Sequence, residues 1–396
     1  MRTALTLAAL LATGNAVAAT DVSDRARELA DESLLIDTHI DVPYRLEEHY
    51  EDVSKATENG DFDYPRADAG GLDVAFMSVY IPAAIQDDAD EAQELANRLI
   101  DMVEKLAAES PDKFAMVYST EAAAEMAGDE RVGFALGMEN GAPIRSVDDL
   151  EHFFDRGIRY ITLTHGKSNH ISDSSYDPDH QWHGLSDFGR KLIPAMNRIG
   201  VMVDISHVSD EAFWQALEIS EVPLIATHSS ARRFTEGFER NMSDDMIRAL
   251  AEKGGVIQIN FGSTFISARS RGWSAEMRAH AREWLEAEGL LDNELARRAF
   301  AAGYSAAHPF PYATLDEVLD HIDHVVEIAG IDHVGIGSDF DGVGDSLPVG
   351  LKSVADYPRL VQGLLDRDYS EDDIRKILGG NTLRVWKATE AYAASH

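Results

Sequence analysis

Short apolar runs alternate along this chain with longer stretches whose apolar positions recur every three or four residues. Eight runs stand out: Leu34–Asp37, Val74–Tyr80, Val132–Met138, Tyr160–Leu163, Val201–Asp204, Leu224–Ala226, Val256–Ile259 and Val334–Ile336. They are apolar nearly throughout, the pattern of parallel strands buried on both faces. Helical periodicity lies between them, at Glu91–Glu109, Leu185–Ile199, Asp210–Ile219, Asp244–Lys253 and Leu315–Ala329. Gly200 follows the second of these helices as a C-cap signal. Eight strand–helix alternations predict an α/β fold, a closed (β/α)8 TIM-like barrel rather than an open sheet.

One connection is too long for a simple crossover. Between the seventh and eighth runs, Phe261 to Ala313 contains a charged helical stretch, Ala275 to Ala302. It reads as a surface helix pair inserted at about 261–313, either over the barrel mouth or away from it. After the eighth run, Gly342 to Pro358 reads as a loop, followed by helices over Asp356–Arg367, Glu371–Leu378 and Asn381–Ala393. Ser370, three residues before Asp373, resembles a capping-box start. No repeat or low-complexity linker interrupts residues 20–396, which are therefore expected to form a single domain.

Composition narrows the partners. The chain has 396 residues, 44 % of them hydrophobic, enough for a full core, and a formal net charge of −35. That charge would repel nucleic-acid phosphates and anionic membrane surfaces. Arg2, the apolar run Ala4 to Ala12 and the small residues Ala16 to Ala19 form the pattern of a signal peptide over residues 1–19. The expectation is an exported protein, periplasmic or extracellular. Without a cysteine there is no lipid-attachment thiol, disulfide or thiolate metal site. Ala388 to His396 offers no hydrophobic tail, so no stable membrane anchor is expected. Any metal must be held by His, Asp and Glu.

In such barrels the site lies where strands end at their C-terminal side. His39 and Asp41 follow the first run and Glu139 the third; His165 closes the fourth. His207 lies beyond the fifth, His228 beyond the sixth and Asp339 beyond the eighth. The second run ends without an obvious catalytic group, and the seventh ends at Asn260. If the barrel closes, four imidazoles and three carboxylates meet at one mouth. Two carboxylates about 4 Å apart repel by about 4 kcal/mol at an effective dielectric near 20. A divalent cation reverses that sign. A nitrogen and oxygen donor set without sulfur suits zinc, with manganese or cobalt as other occupants. The barrel is thus expected to be of the metal-dependent hydrolase type.

At this point the chain resembles the membrane dipeptidase (renal dipeptidase) family of dizinc peptidases, in particular its bacterial members. The matching motifs are Asp37-Thr38-His39-Ile40-Asp41-Val42-Pro43, Gly137-Met138-Glu139-Asn140-Gly141, Leu163-Thr164-His165, Asp204-Ile205-Ser206-His207-Val208-Ser209, His228-Ser229-Ser230, Arg240-Asn241 and Gly337-Ser338-Asp339-Phe340-Asp341-Gly342-Val343. They occur in the family's order and cover essentially the whole mature chain. The resemblance implies two Zn2+ per chain, His39 and Asp41 on one, His207 and His228 on the other, with Glu139 bridging. It implies that His165 polarises the scissile carbonyl and that Arg240 binds the substrate's terminal carboxylate. Asp339 would carry a proton from the attacking water to the leaving amine, and a hydroxide bridging the metals would attack. The substrates so implied are dipeptides, with a C-terminal D-residue as one option and a homodimer left open.

Some readings stay open. Arg240 could instead be a surface arginine paired with Glu239 or Asp244, and Asp341 could replace Asp339. His170, His180 and His183 lie in a polar loop and read as mouth-lining residues, not ligands. His49, His152, His280, His308, His321, His324, His333 and His396 fit no strand end. Gly166-Lys167-Ser168-Asn169-His170-Ile171 departs from the aromatic-containing segment of animal relatives, and the 261–313 stretch is longer than theirs. Another amidohydrolase-type hydrolase, for a lactone, cyclic amide or phosphoester, is disfavoured because the fourth run ends in histidine rather than a lysine that could be carboxylated. A non-catalytic exported solute-binding protein is the reading from a different class.

Overall fold

A sheet of parallel strands, wrapped by helices, dominates the computed structural model, which describes residues 21–396. The export segment expected at 1–19 lies outside the described residues. The strands are β1 (Ile36–Ile40), β2 (Val74–Tyr80), β3 (Phe114–Met116), β4 (Val132–Glu139), β5 (Ile158–Thr162), β6 (Met202–Asp204), β7 (Ile225–Ser229), β8 (Val256–Ile259) and β9 (Val334–Ile336). Their order is β1-β2-β4-β5-β6-β7-β8-β9, with β3 paired only to the start of β4. Two backbone bonds join the ends of that path: Asp41 N–H donates to Phe340 O at 2.9 Å and Asp339 N–H to His39 O at 3.1 Å. The result is a nearly closed eight-stranded α/β barrel, with every expected run in place.

Burial explains the pattern. On β2, Val74 and Phe76 join an inner cluster with Ile36, Ala135, Tyr160, Met202, Ile225, Val256 and Trp386, whereas Ala75, Met77 and Val79 pack outward against helices. A strand with both faces covered has no polar face, so its sequence cannot alternate. β1, β4 and β7 run further than their apolar cores. His39, Glu139 and His228 lie inside the last residues of strands rather than after them.

The five expected helices appear at Ala89–Glu109, Asp187–Ile199, Asp210–Ile219, Asp244–Glu252 and Leu315–Ala329. Ser186, Ser209, Ser243 and Thr314 cap four of them by accepting a backbone N–H three residues on. Each such cap stabilises by about 1 kcal/mol. Ser370 caps Glu371–Arg375 in the same way, through the N–H of Asp373. Between β8 and β9 lie Ser263–Ile266, Ala268–Glu288 and Glu294–Ala307. The charged stretch therefore splits at Gly289, whose φ of 66° ends the longer helix. Short helices at Asp24–Glu32, Val42–Glu48, Tyr64–Gly70, Thr120–Glu125 and Val147–Asp155 were not legible as periodic runs, since most span two turns or fewer. Among the described residues no helix is long and apolar enough to cross a membrane.

Candidate metal centre

Closure of the barrel brings the scattered donors together. Glu139, at the end of β4, stands at the middle. Its Oε1 lies 3.1 Å from His207 Nε2, 3.2 Å from His228 Nε2 and 3.5 Å from His165 Nε2. Its Oε2 lies 3.6 Å from His39 Nε2. Asp41 Oδ2 is 3.4 Å from the same His39 nitrogen. Three overlapping donor sets result, His39/Glu139/His228, Glu139/His165/His207 and His39/Asp41/Asp339, each with ligand atoms within 4.8 Å of one another.

Each side chain is placed by its neighbours. Asp37, a buried residue of β1, accepts the His39 N–H at 3.0 Å and the Ser338 N–H at 3.1 Å, and Tyr357 donates its hydroxyl to the same carboxylate. One side chain thereby sets the backbone of both His39 and the segment bearing Asp339. Tyr160 OH lies 2.9 Å from His39 Nδ1. A Cβ on Gly137 would fall 2.0 Å from the Tyr160 ring, so the glycine of Gly137-Met138-Glu139 makes room for that contact. A Cβ on Gly342 would fall 2.1 Å from Asp41 Oδ2 and 2.3 Å from Asp339 Oδ1, so only glycine lets both carboxylates face the site. His207 and Asp339 hold left-handed backbones, with φ of 69° and 64°. Such conformations cost on the order of 1 kcal/mol or more and gather at functional sites.

Arg240 is buried, which excludes the surface-pair reading. Its guanidinium donates to Ser229 Oγ at 2.8 Å and His228 O at 2.7 Å, and Nη2 lies 3.0 Å from His207 Nε2. Asp341 turns aside: its Oδ1 accepts the Asp61 N–H at 2.6 Å and its Oδ2 faces Arg45 Nε at 3.3 Å. Asp339 instead receives Asn260 Nδ2 on its Oδ2 at 2.6 Å. Asp341 is thus committed to Asp61 and Arg45, whereas Asp339 lies within ligand distance of His39 and Asp41.

Electrostatics follow from the same burial. Burial, then Arg240, holds the His207 imidazole well below its ordinary pKa, and burial, then His39, does so for His228. Burial also lowers His165. Burial works against the Glu139 carboxylate, but His165, His39, His207 and His228 outweigh it and hold the group well below the usual carboxylate range. Burial, reinforced by Asp41, pushes Asp339 up to about 7. Burial opposes a charge on His39, yet Tyr160, Asp41 and Glu139 outweigh it and raise its pKa. A proton on His39 there answers the same negative field that a cation would.

The residues fit a metal. His39 Nε2 is buried and has no hydrogen-bond partner among the described residues, although two carboxylates flank it. His165, His207 and His228 favoured neutral and Glu139 favoured ionised match the protonation states a cation requires, and a cation would take the place of the proton on His39. A cavity of about 870 Å³ opens onto the cluster, lined by Asp41, Glu139, His165, His207 and Asp339 with Tyr80, Tyr176, Phe265 and Phe310.

The structure also brings in residues that sequence reading passed over. Tyr80, at the end of the second run, packs edge-on against His165 with ring centroids 4.8 Å apart. Asn260 meets Asp339, and Tyr176 leans on His207 at 5.8 Å. Tyr80 and Asn260 were marked by position at strand ends; Tyr176 had no signal. Of the loop histidines, none lines the cavity; Gly166 and Tyr176 do so instead. His170 Nε2–H donates to the Ile144 backbone carbonyl at 2.7 Å. His49, which fits no strand end, lies at the cavity rim.

Comparison with known proteins agrees with this geometry. Residues 23–396 match the family model described as membrane dipeptidase, peptidase family M19. Two uncharacterized dipeptidases of Schizosaccharomyces pombe are similar. One is 32 % identical over 391 residues, covering 93 % of this chain and 83 % of the relative, and the other 31 % identical over 375 residues, covering 90 % and 81 %. The crystal structure of a probable dipeptidase, PvdM from Pseudomonas aeruginosa, superposes with a TM-score of 0.80 at 25 % identity, covering 93 % of this chain and 98 % of that one. A metallopeptidase from Rhodobacter sphaeroides, liganded with a phosphinate mimic of the dipeptide L-Ala-D-Ala, has a TM-score of 0.73 at 23 % identity and covers 90 % and 99 %; at that identity it speaks for the fold alone. The chain belongs to the membrane dipeptidase family of metallopeptidases.

Proposed function

We propose that this metallo-dipeptidase hydrolyses the peptide bond of dipeptides with two zinc ions, and that its substrates include dipeptides with a C-terminal D-residue. One observation carries the reading: a single carboxylate, Glu139, within 3.1 to 3.6 Å of four imidazole nitrogens. His39 and Asp41 would hold one ion, His207 and His228 the other, and Glu139 both. When bound, such ions lower the pKa of water toward about 7 and act as Lewis acids on a carbonyl.

The side chains divide the remaining work. Asp339, a buried carboxyl beside Asp41 at the cavity, suits both uptake of a proton from the attacking water and its delivery to the leaving amine. Asn260 holds one oxygen of that carboxylate and leaves the other for the transfer. His165, neutral and at the cavity wall, donates to the carbonyl oxygen as it gains charge. Arg240, whose terminal nitrogens already meet Ser229, His228 and His207, would receive the terminal carboxylate through its remaining N–H groups and charge, which would confine the substrate to short peptides. The D-residue part of the proposal takes its substrate from the L-Ala-D-Ala mimic bound by the Rhodobacter sphaeroides protein, which shares the fold. The export pattern of residues 1–19 supports a periplasmic or extracellular site of action.

The test is an assay of purified protein with zinc and a panel of L,L- and L,D-dipeptides, alongside a lactone and a phosphoester. Turnover of dipeptides at both stereochemistries is the expected result. Turnover confined to the lactone or phosphoester, or none at all, would overturn the reading.

A further inference from the structure

Behind His228 lies a buried polar chain that the proposed chemistry does not use. Asp204, at the end of β6, is fully buried and receives four donors. Its Oδ1 accepts the backbone N–H groups of Ser206 and Thr227, both at 2.9 Å. Its Oδ2 faces the hydroxyls of Thr162 at 2.5 Å and Thr227 at 2.7 Å. Thr227 Oγ1 in turn lies 2.8 Å from His228 Nδ1.

Donor arithmetic gives this chain a direction. A carboxylate accepts and does not donate. The Thr227 hydroxyl therefore spends its one proton on Asp204 and meets His228 as an acceptor. His228 must then carry its proton on Nδ1, leaving Nε2 as a bare lone pair. That nitrogen lies 2.8 Å from His207 Nε2, which itself faces Arg240 Nη2 at 3.0 Å, and 3.2 Å from Glu139 Oε1, a crowding of acceptors that a shared cation would reconcile. His207 has no such support, for its buried Nδ1 is without a hydrogen-bond partner.

We infer that Asp204, acting through the Thr227 hydroxyl, is a positioning residue that fixes the tautomer of His228 and so presents its Nε2 to the metal. This rests on His228 being a ligand, and the test separates the two. Thr227→Val keeps shape and the backbone bond to Asp204 but removes the relay. Asp204→Asn reverses it: the backbone donors retain the amide oxygen at the Oδ1 position, so the amide nitrogen faces Thr227 and turns its hydroxyl toward His228. Thr227→Ser restores the relay.

The measurements are zinc affinity by chelator competition and the His228 tautomer from nitrogen-15 NMR of the full-length protein, before and after zinc loading. Outer partners of metal ligands are typically worth about 10- to 100-fold in affinity. The expected results are an Nδ1–H tautomer in the wild type, about 10-fold weaker zinc binding at one site in Thr227→Val, about 100-fold in Asp204→Asn with an Nε2–H tautomer, and recovery in Thr227→Ser. An Nε2–H wild type overturns the inference, as does wild-type zinc affinity in Thr227→Val. If His228→Ala also retains both zinc ions, the ligand reading falls with it; if it loses one, only the relay is wrong.

Discussion

His39 and His228 differ from His165 and His207 in what stands behind the ring. The first two lie within strands, their rings stacked with centroids 3.7 Å apart. Each Nδ1 has a hydroxyl partner, Tyr160 for His39 and Thr227 for His228. The second two lie beyond their strands, and each has a buried Nδ1 without a hydrogen-bond partner. His207 is held by a left-handed backbone instead. Four residues of one type thus serve one cluster under two regimes. One pair is fixed by hydrogen bonds from the barrel; the other is set by backbone and packing and faces the cavity. The fixed pair is suited to prearranging a cation, and the cavity-facing pair to meeting what arrives.

The comparison can be broken at several points. His207→Ala should cost one metal equivalent and most turnover, read by metal analysis and dipeptide hydrolysis; wild-type values for both would remove His207 from the cluster's work. Asp339→Asn should keep both metals and lower kcat by about 100- to 10,000-fold, the range of a positioned acid–base group; unchanged turnover would pass the role elsewhere. Tyr160→Phe removes the partner of His39 Nδ1 and should weaken zinc binding by about 10-fold, with Gly137→Ala doing the same indirectly by displacing the ring. Equal zinc affinity in Tyr160→Phe would erase the distinction between the two pairs.

A separate effect, on stability rather than on the cluster, concerns an imidazole outside the site with both nitrogens engaged. His321 Nδ1 accepts the Ala231 N–H at 3.0 Å and Nε2 donates to Ile266 O at 2.9 Å. Burial lowers its pKa to about 4 from an ordinary 6.5. Above pH 6.5 both folded and unfolded chains hold it neutral, and its contribution is complete. As pH falls from 6.5 toward 4 the unfolded chain takes up a proton that the folded one refuses, so stability declines by on the order of 3 kcal/mol. Urea unfolding of wild type and His321→Gln at pH 7 and pH 4.5 reads this difference, because the ligands' own titration cancels between the two proteins. An identical pH dependence in the variant would show that His321 is not held neutral.

Much of this arrangement was readable in the chain because buried parallel strands are continuous apolar runs and their ends mark the mouth. Leu224–Ala226, the weakest such run, still located β7 and His228. β3 escaped because three residues carry no periodicity. The supporting residues escaped for another reason. Thr227 and Tyr160 are ordinary strand formers, and Asp204 looks like the polar end of a run. Their role depends on which strand lies alongside, and pairing between β5, β6 and β7 is not written in any one segment. The left-handed backbones at His207 and Asp339 were equally hidden, since neither residue type demands one.

The two bonds that join β1 to the segment after β9 link positions about three hundred residues apart. Loop closure over such a span comes late in folding, since long-range contacts repay their entropy only once the intervening chain is ordered. His39 and Asp41 are among the first donors synthesised, and Asp339 among the last. A chain arrested before its final sixth would carry His39, Asp41, Glu139, His165, His207 and His228 but lack Asp339 and the segment that closes the barrel on β1. The protein should therefore gain its hydrolytic competence in one step near the end of its own assembly, with no partially active forms along the way.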